Sequence, residues 1–306
     1  MIQILLATYN SGAFLEQQLA SLMEQSFQEF NILVSDGGSK DNTLEIIGSF
    51  QKRFPEKIRL LDTAPASACE NFARLLAAAD AELIMFCDHD DVWKKEKIAL
   101  SLETYRQMEK EYGPDFPILV FTDSEIVDRD LRKLFPSMMR SQRLNRSRFT
   151  PGRTIIQNYA SGNTMLFNRA LLKKVLPIGS RAVMHDHWVA LGAAFFGKVG
   201  YVDIPTILYR QHGDNVLGSF RYDLRSCLKK FLEKSDEFRS SLYRAFDQAA
   251  ELLSFHGEDL TPEQQRLLTG LEGFKKKGKF ARWYFICKYG LFKEGFLRNI
   301  AVFIWC

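Results

Sequence analysis

Apolar and polar positions alternate in blocks along the first hundred residues. Ile2-Gln3-Ile4-Leu5-Leu6-Ala7 is a short apolar run that stops abruptly at Thr8-Tyr9-Asn10-Ser11-Gly12. Leu15, Leu19, Leu22 and Met23 then recur at helical spacing and predict an amphipathic helix. Phe30 to Val34 predicts a second strand. It is followed by Ser35-Asp36-Gly37-Gly38-Ser39-Lys40-Asp41, whose paired glycines permit a tight backbone path. Leu44, Ile47 and Phe50 begin the next helix, Ile58 to Leu61 is a weaker strand, and Asn71, Phe72, Leu75 and Leu76 mark a further helix. Leu83-Ile84-Met85-Phe86-Cys87 is apolar throughout, as a strand buried on both faces requires. This alternation predicts a parallel sheet covered on both faces. Right-handed crossovers place the loops after Ala7, Val34 and Cys87 on one edge, so Thr8, Asp36 and Asp88 are expected to be neighbours.

Beyond a helix over about 94–111, Ile118 to Phe121 predicts a strand ending at Thr122-Asp123. Residues 128–150 are rich in Arg, Ser and Met without a clean period, and read as a mobile, partly helical insertion over the cleft. Asn163 to Phe167 predicts a strand feeding a short helix through Leu171 and Leu172. Val183 to Trp188 leads into an apolar helix over 189–196, and two short strands flank Pro205. From Phe220 the pattern changes to long helices with charged outer faces, carried by Leu224, Leu228, Phe231, Phe238, Leu242 and Phe246. These break at His256-Gly257, and another helix starts after Thr261-Pro262. The expected fold class is α/β: a Rossmann-like, mostly parallel central sheet over 1–217 with a helical C-terminal region over 218–306.

Length and composition fit one substantial core, since 46% of the 306 residues are hydrophobic. Net charge is +4, but residues 276–306 alone carry +6 and the remainder −2. Basicity therefore belongs to a tail, which argues against nucleic acid as the partner of the body. Five scattered cysteines show no paired spacing, and Cys87 and Cys287 adjoin apolar runs, so buried free thiols in a reducing compartment are expected. No basic-then-apolar leader precedes Ile2, and no apolar stretch reaches about 18 residues, so a cytoplasmic protein without a spanning helix is expected.

Candidate chemistry concentrates after Cys87, where Asp88-His89-Asp90-Asp91-Val92-Trp93 puts three carboxylates within four positions. The carboxyl end of a strand is where an open α/β sheet places ligands. Carboxylates at i and i+2 there can share a hard divalent cation that in turn holds phosphate oxygens. The plain structural alternative is an acidic turn capping the helix that begins near Lys94.

The chain resembles the family 2 glycosyltransferases of the GT-A fold, and more narrowly the bacterial rhamnosyltransferase-like members. Five pieces in order carry the resemblance: Ala7-Thr8-Tyr9-Asn10, Ser35 to Asp41, Asp88 to Trp93, His185-Asp186-His187-Trp188 and Gln211-His212-Gly213-Asp214-Asn215. The resemblance implies a metal-dependent inverting glycosyltransferase using Mg²⁺ or Mn²⁺. Its donor would be a nucleotide-diphosphate sugar, with dTDP-L-rhamnose favoured, and its acceptor a glycan or a lipid-linked hydroxyl. Thr8, Tyr9, Asn10, Asp36 and Asp88 would line the donor nucleotide, with Asp36 accepting from the base's imide N–H. Asp90 would be the direct metal ligand beside Asp88, with His212 as a third ligand, and Asp186 the catalytic base. His185, His187, Trp188 and Gln211 would border the acceptor or cleft. Gly37 departs from the family pattern, standing where a second Asp is common.

An Asp at a helix start is also an ordinary N-cap, and loop packing explains His212 almost as well as metal ligation does. As a base, Asp186 at a helix N-terminus is expected to be kept ionised, and weakened, by the positive dipole end. The last 31 residues interleave nine aromatics with the basic side chains. That pattern suits an anionic membrane surface, which would make the protein peripheral on the inner face of the cell membrane. It also suits a stacking platform for single-stranded nucleic acid or a helical hairpin packed on the body. Two functional alternatives stand beside transfer. A catalytically inactive nucleotide-sugar-binding scaffold would not need Asp88, Asp90 and Asp186 intact. A nucleotidyltransferase would want a Gly-rich basic loop after the first strand, which Thr8 to Gly12 does not supply.

Overall fold

The computed structural model describes residues 1–212 and 235–306. In β1 (Ile2–Thr8) both faces are apolar: Ile4 and Leu6 enter one core cluster and Leu5 and Ala7 the other. β2 (Phe30–Asp36), β3 (Ile58–Leu60) and β4 (Leu83–Cys87) join it in the parallel order β3-β2-β1-β4. Thr8 lies opposite Asp36 and Leu6 opposite Cys87, so the three following loops share one edge as expected. Helices α1 (Leu15–Met23), α2 (Thr43–Arg53) and α3 (Ala68–Ala78) connect these strands. Of the residues that mark α2, Ile47 and Phe50 are buried and Leu44 is exposed.

The second half of the sheet is mixed. β8 (Met165–Asn168) runs antiparallel between β4 and β6 (Ile118–Val127). β9 (Lys198–Arg210) runs parallel to β6. The strand expected to end at Thr122-Asp123 continues to Val127 because β9 accompanies it. The two strands expected around Pro205 are one, bulged where Asp123 faces Pro205. α4 (Lys97–Tyr112) begins later than Lys94 because β5 (Val92–Trp93) first pairs with Ile207 and Leu208. The segment expected to be a mobile insertion has fixed partners. β7 (Lys133–Phe135) pairs with β6, and Ser137 caps the short α5 (Met138–Ser141).

Each face of the sheet carries its own helical layer. α1, α2 and α4 cover one face through Leu19, Phe50 and Leu102. The other is covered by α3, α6 (Pro151–Ile156), α7 (Arg169–Val175) and α8 (His185–Phe196). α9 (Ser235–His256), α10 (Pro262–Glu272), α11 (Lys279–Tyr289) and α12 (Phe296–Trp305) extend that second layer: Phe246, Leu268, Ile286 and Val302 join Trp188 and Leu191 in one core. Thr261 and Gln264 form the capping box that starts α10, with Pro262 at its first turn. Leu224, Leu228, Phe231 and the expected boundary at 217/218 lie outside the described residues. Cys87 is buried as expected, but Cys287 is exposed on the outer face of α11. No helix among the described residues is long and apolar enough to cross a membrane.

Candidate functional site

The loops at the shared edge are organised by Asp36. It is fully buried. One carboxylate oxygen accepts from the Thr8 hydroxyl at 2.8 Å and the Ser39 hydroxyl at 2.6 Å. The other accepts from the main-chain N–H of Gly38 at 2.9 Å and of Ser39 at 2.8 Å. All four acceptor positions are thereby used, so Asp36 shapes the loop from below instead of presenting a free oxygen at its surface. Gly38 has φ +87°, which favours glycine. Tyr9 and Asn10 are exposed at the rim; Asn10 donates its N–H to Ser39 Oγ and accepts from Lys40 N–H.

The acidic turn is not a helix cap. Glu96 holds the N-cap position of α4, and no side chain caps it. Asp91 turns inward, accepting from the Asn163 side chain and, at 3.1 Å, from the Arg210 N–H. The Arg210 guanidinium donates to the main-chain oxygens of Asp90 and Arg129 and to Gln17, and stacks on Phe14. Asp91, Asn163 and Arg210 are thus the frame that holds the turn. Arg210 and Asn163 were not singled out in the sequence, although a basic residue closing a half-apolar strand signals a buried charge.

Asp88 and Asp90 are half-buried at this edge. Asp90 Oδ2 lies 2.9 Å from His212 Nε2, and the His212 ring rests on Phe14 at 4.8 Å between centroids. The two atoms are hydrogen-bonded to each other, and a cation shared by them would take the place of the bonding proton. No group of three His, Cys, Asp or Glu side chains converges among the described residues, so Asp88 does not complete the expected set. Small divalent cations often take one or two protein carboxylates plus substrate phosphate and water, and an Asp–His pair fits that use. Burial, then Asp90 and Asp186, push the Asp88 carboxyl up to about 8. A cation near this turn would reverse that effect.

Asp186 is the second residue of α8, behind the N-cap Met184, and so is not the N-cap expected from the sequence. Its carboxylate accepts from His187 N–H at 2.6 Å and from Gly162 N–H at 3.1 Å. A Cβ on Gly162 would stand 3.0 Å from His185 Nε2 and 3.1 Å from Asp186 Cβ, so only glycine lets this turn, which leads into β8, approach α8 freely. The expected dipole-weakened base is corrected here. Burial raises Asp186 to about 6, outweighing the opposing hydrogen bonds from His187, Gly162 and Asn158. Asp186 lines a cavity of about 190 Å³ with Asp123, Ser124, Met139, Tyr159 and Tyr209. Tyr209 joins this cavity to the acidic turn: burial, then Asp91, Asp88, Asp90 and Asp186, hold its hydroxyl neutral well above the usual range.

The neighbours of Asp186 do not border this cavity. His187 bonds the Thr154 carbonyl at 2.6 Å and Gln248 at 3.2 Å, and burial lowers it to about 4. His185 stacks on Phe72 at 3.7 Å, and burial lowers it to about 3. Trp188 is fully buried, donating to the Val175 carbonyl at 2.8 Å. All three belong to the core. Trp188→Ala should therefore cost about 3–5 kcal/mol of stability, read by denaturant unfolding, with donor affinity unchanged in the fraction that remains folded. Gln211 donates its N–H to Val127 and follows the site closely in sequence, whereas Gly213, Asp214 and Asn215 lie outside the described residues. Asp123 is buried and clamps the loop before α5 through Ser137 and Met139.

A family model described as "Glycosyl transferase family 2" matches residues 3–176. The dTDP-rhamnosyl transferase RfbG of Shigella flexneri is 29% identical over 227 residues, 70% of this chain and 74% of that protein. An uncharacterized glycosyltransferase of Nostoc sp., alr2836, is 24% identical over 221 residues, 70% of this chain and 66% of that protein. Among solved structures, residues 1–349 of Staphylococcus aureus TarS in complex with UDP-GlcNAc superpose with a TM-score of 0.57 at 18% identity, covering 94% of this chain and 79% of that one. The mannosyltransferase PcManGT of Pyrobaculum calidifontis with GDP-Man and Mn²⁺ superposes with a TM-score of 0.51 at 14% identity, covering 99% and 87%. These two likenesses establish a shared fold.

Proposed function

The chain belongs to glycosyl transferase family 2, and from that premise we propose that it is a metal-dependent, inverting transferase with Asp186 as its general base. The coarser activity is a family property: a sugar moves from a nucleotide-sugar donor to an acceptor hydroxyl. The observation that carries the finer reading is the position of Asp186. It lines a cavity of about 190 Å³, linked through Tyr209 to Asp88 and Asp90, and burial raises its carboxyl to about 6.

In this reading the donor diphosphate lies over Asp88 and Asp90, and the acceptor hydroxyl enters the cavity. Asp186 takes the hydroxyl proton as the acceptor oxygen attacks the anomeric carbon. The bond from that carbon to the diphosphate oxygen breaks, and the nucleoside diphosphate leaves with the electron pair. One base and direct displacement invert the anomeric centre, with no covalent sugar–enzyme intermediate. Asp90 and His212 would hold the divalent cation, which when bound offsets negative charge on the departing diphosphate. Tyr209, kept neutral, offers its O–H between the two regions without adding charge. The Met138, Met139 and Leu144 side chains supply an apolar wall to a cavity otherwise lined by hydroxyl, amide and carboxylate groups, a combination suited to a sugar ring.

The relative named as a dTDP-rhamnosyl transferase favours dTDP-L-rhamnose as donor. A thermal-shift panel of dTDP-, UDP- and GDP-sugars, each with and without Mn²⁺, tests both points. The expected result is the largest shift with dTDP-rhamnose plus Mn²⁺ and little shift when chelator is added. A shift that ignores metal removes the cation from the reading, and a preference for another nucleotide removes rhamnose.

A further inference from the structure

We infer that α11 and α12 form a docking face for an anionic lipid bilayer, a surface that lies outside the transfer site and is argued independently of it. The two most exposed large hydrophobic side chains among the described residues are Phe280, 81% exposed, and Phe296, 77% exposed. Each opens a stripe. On α11, beyond the exposed first residue Lys279, the exposed positions are Phe280, Ala281, Tyr284, Cys287 and Lys288, which is one helical face. On α12 Phe296 and Ile304 are exposed, with the half-buried Ile300 between them at the same spacing. The Trp283 indole donates to the Phe303 carbonyl at 2.8 Å and fixes the two helices side by side.

Charge identifies the occupant. Residues 276–306 carry seven Lys or Arg and one acidic side chain, Glu294. Glu294 is buried and turned inward, paired with Arg153 at 3.2 Å and Arg148 at 3.3 Å and accepting from Tyr159 at 3.1 Å. The outer surface of the hairpin therefore presents only cations, among them the exposed Lys276, Lys279 and Lys288, beside exposed aromatic and aliphatic groups. A partner fitting both features has anionic headgroups above an apolar interior. Aliphatic Ile304 and Ala281 within the stripes suit acyl chains, whereas a single-stranded nucleic acid would want flat rings throughout. Tyr159 also lines the cavity beside Asp186, so the hairpin tip and the cavity wall are one hydrogen-bonded unit.

Removing residues 276–306 would not test this, because Phe285, Ile286, Leu291 and Val302 are part of the main core. The test uses the full chain and the exposed-residue variant Phe280→Ser/Tyr284→Ser/Phe296→Ser, with Lys276→Glu/Lys279→Glu/Lys288→Glu as a second variant. Both are first checked for a wild-type unfolding midpoint. Sedimentation with vesicles of phosphatidylcholine alone, and with about a third phosphatidylglycerol, is then measured at low and high salt. Wild type is expected to bind only the anionic vesicles, less at high salt, and each variant to lose binding by on the order of tenfold or more. Equal binding by wild type and variants overturns the proposal, as does absence of wild-type binding. A wild-type dimer that the aromatic variant converts to monomer reassigns the face to a second copy of the chain. Retention of oligo(dT), lost in the same variants, reassigns it to nucleic acid.

Discussion

Replacing Asp186 with Asn should lower acceptor-dependent transfer by roughly 10²–10⁴-fold while donor affinity stays near wild type, the range expected when a general base is lost. Asn keeps one acceptor oxygen for His187 N–H and loses the second, toward Gly162 N–H. The fold has little reason to suffer. Because burial raises the Asp186 carboxyl from 3.8 to about 6, the ionised group is a net cost at neutral pH. The sign follows from proton binding. Between the two values the native state holds the proton more tightly than the unfolded chain, so this contribution to stability falls as pH rises from about 4 to about 6. The full cost above that window is at most about 3 kcal/mol, reduced by the group's remaining exposure to the cavity. Asp186→Asn should therefore unfold at the wild-type midpoint or above it at neutral pH, a trade of stability for activity.

The pH profile separates catalysis from structure. Wild-type kcat/KM should rise about tenfold per pH unit up to a plateau beginning near 6, as the free enzyme's carboxyl loses its proton, and the Asn variant should lack that limb. Turnover and donor affinity are measured on the same purified variant. Near-normal turnover would remove the base from Asp186, and lost donor binding would make the residue a structural one. Neither of the next side chains in reach offers a ready substitute: Asp123 is clamped on Ser137 and Met139, and the His187 ring is buried on Thr154 and Gln248.

Much of the site was legible because strand ends are local. The apolar runs at Ile2, Phe30 and Leu83 fixed which residues follow each strand, and crossover handedness then put Thr8, Asp36 and Asp88 on one edge. What stayed hidden depends on partners remote in sequence. That β8 would insert antiparallel between β4 and β6 cannot be seen in its four residues. Thr122 to Ser124 look like a strand end because they are polar, yet β9 pairs with them. His187 and Trp188 look like cleft residues until α9 brings Gln248 and α7 brings the Val175 carbonyl. For Asp186 the local helix dipole suggested a weak base, and burial by the surrounding walls decided the opposite. Magnitude settles such a contest: a dipole contributes about 0.3–1 kcal/mol, less than the desolvation of a carboxylate.

Asp90→Ala is the second variant expected to show a large effect, and its logic is electrostatic. Asp88, Asp90 and Asp186 lie within electrostatic reach of one another, and the first of them is raised to about 8 by burial and then by the other two. A diphosphate brought to this turn would add further negative charge, at about 4 kcal/mol per unit pair for charges 4 Å apart near a protein surface. Arg210, the basic side chain bound to the turn, already spends its guanidinium on main-chain oxygens and Gln17. In the proposed reading, a cation held by Asp90 and His212 would remove the repulsion. Its loss should weaken donor diphosphate binding by several kcal/mol, on the order of 10²–10³-fold. Remaining binding should ignore both Mn²⁺ and chelator. The turn itself should survive, because Arg210 holds the main-chain oxygen of Asp90, which alanine retains, and Asp91 keeps Asn163 and the Arg210 N–H. Asp91→Ala is the matched control. It leaves Asn163 and Arg210 short of a buried partner and should lower the unfolding midpoint, whereas Asp90→Ala should not. Calorimetric titration of the nucleoside diphosphate with and without Mn²⁺, beside thermal unfolding of both variants, gives the comparison. Undiminished, metal-responsive binding by Asp90→Ala would take Asp90 out of the metal site and leave its contact with His212 as packing of the loop against Phe14.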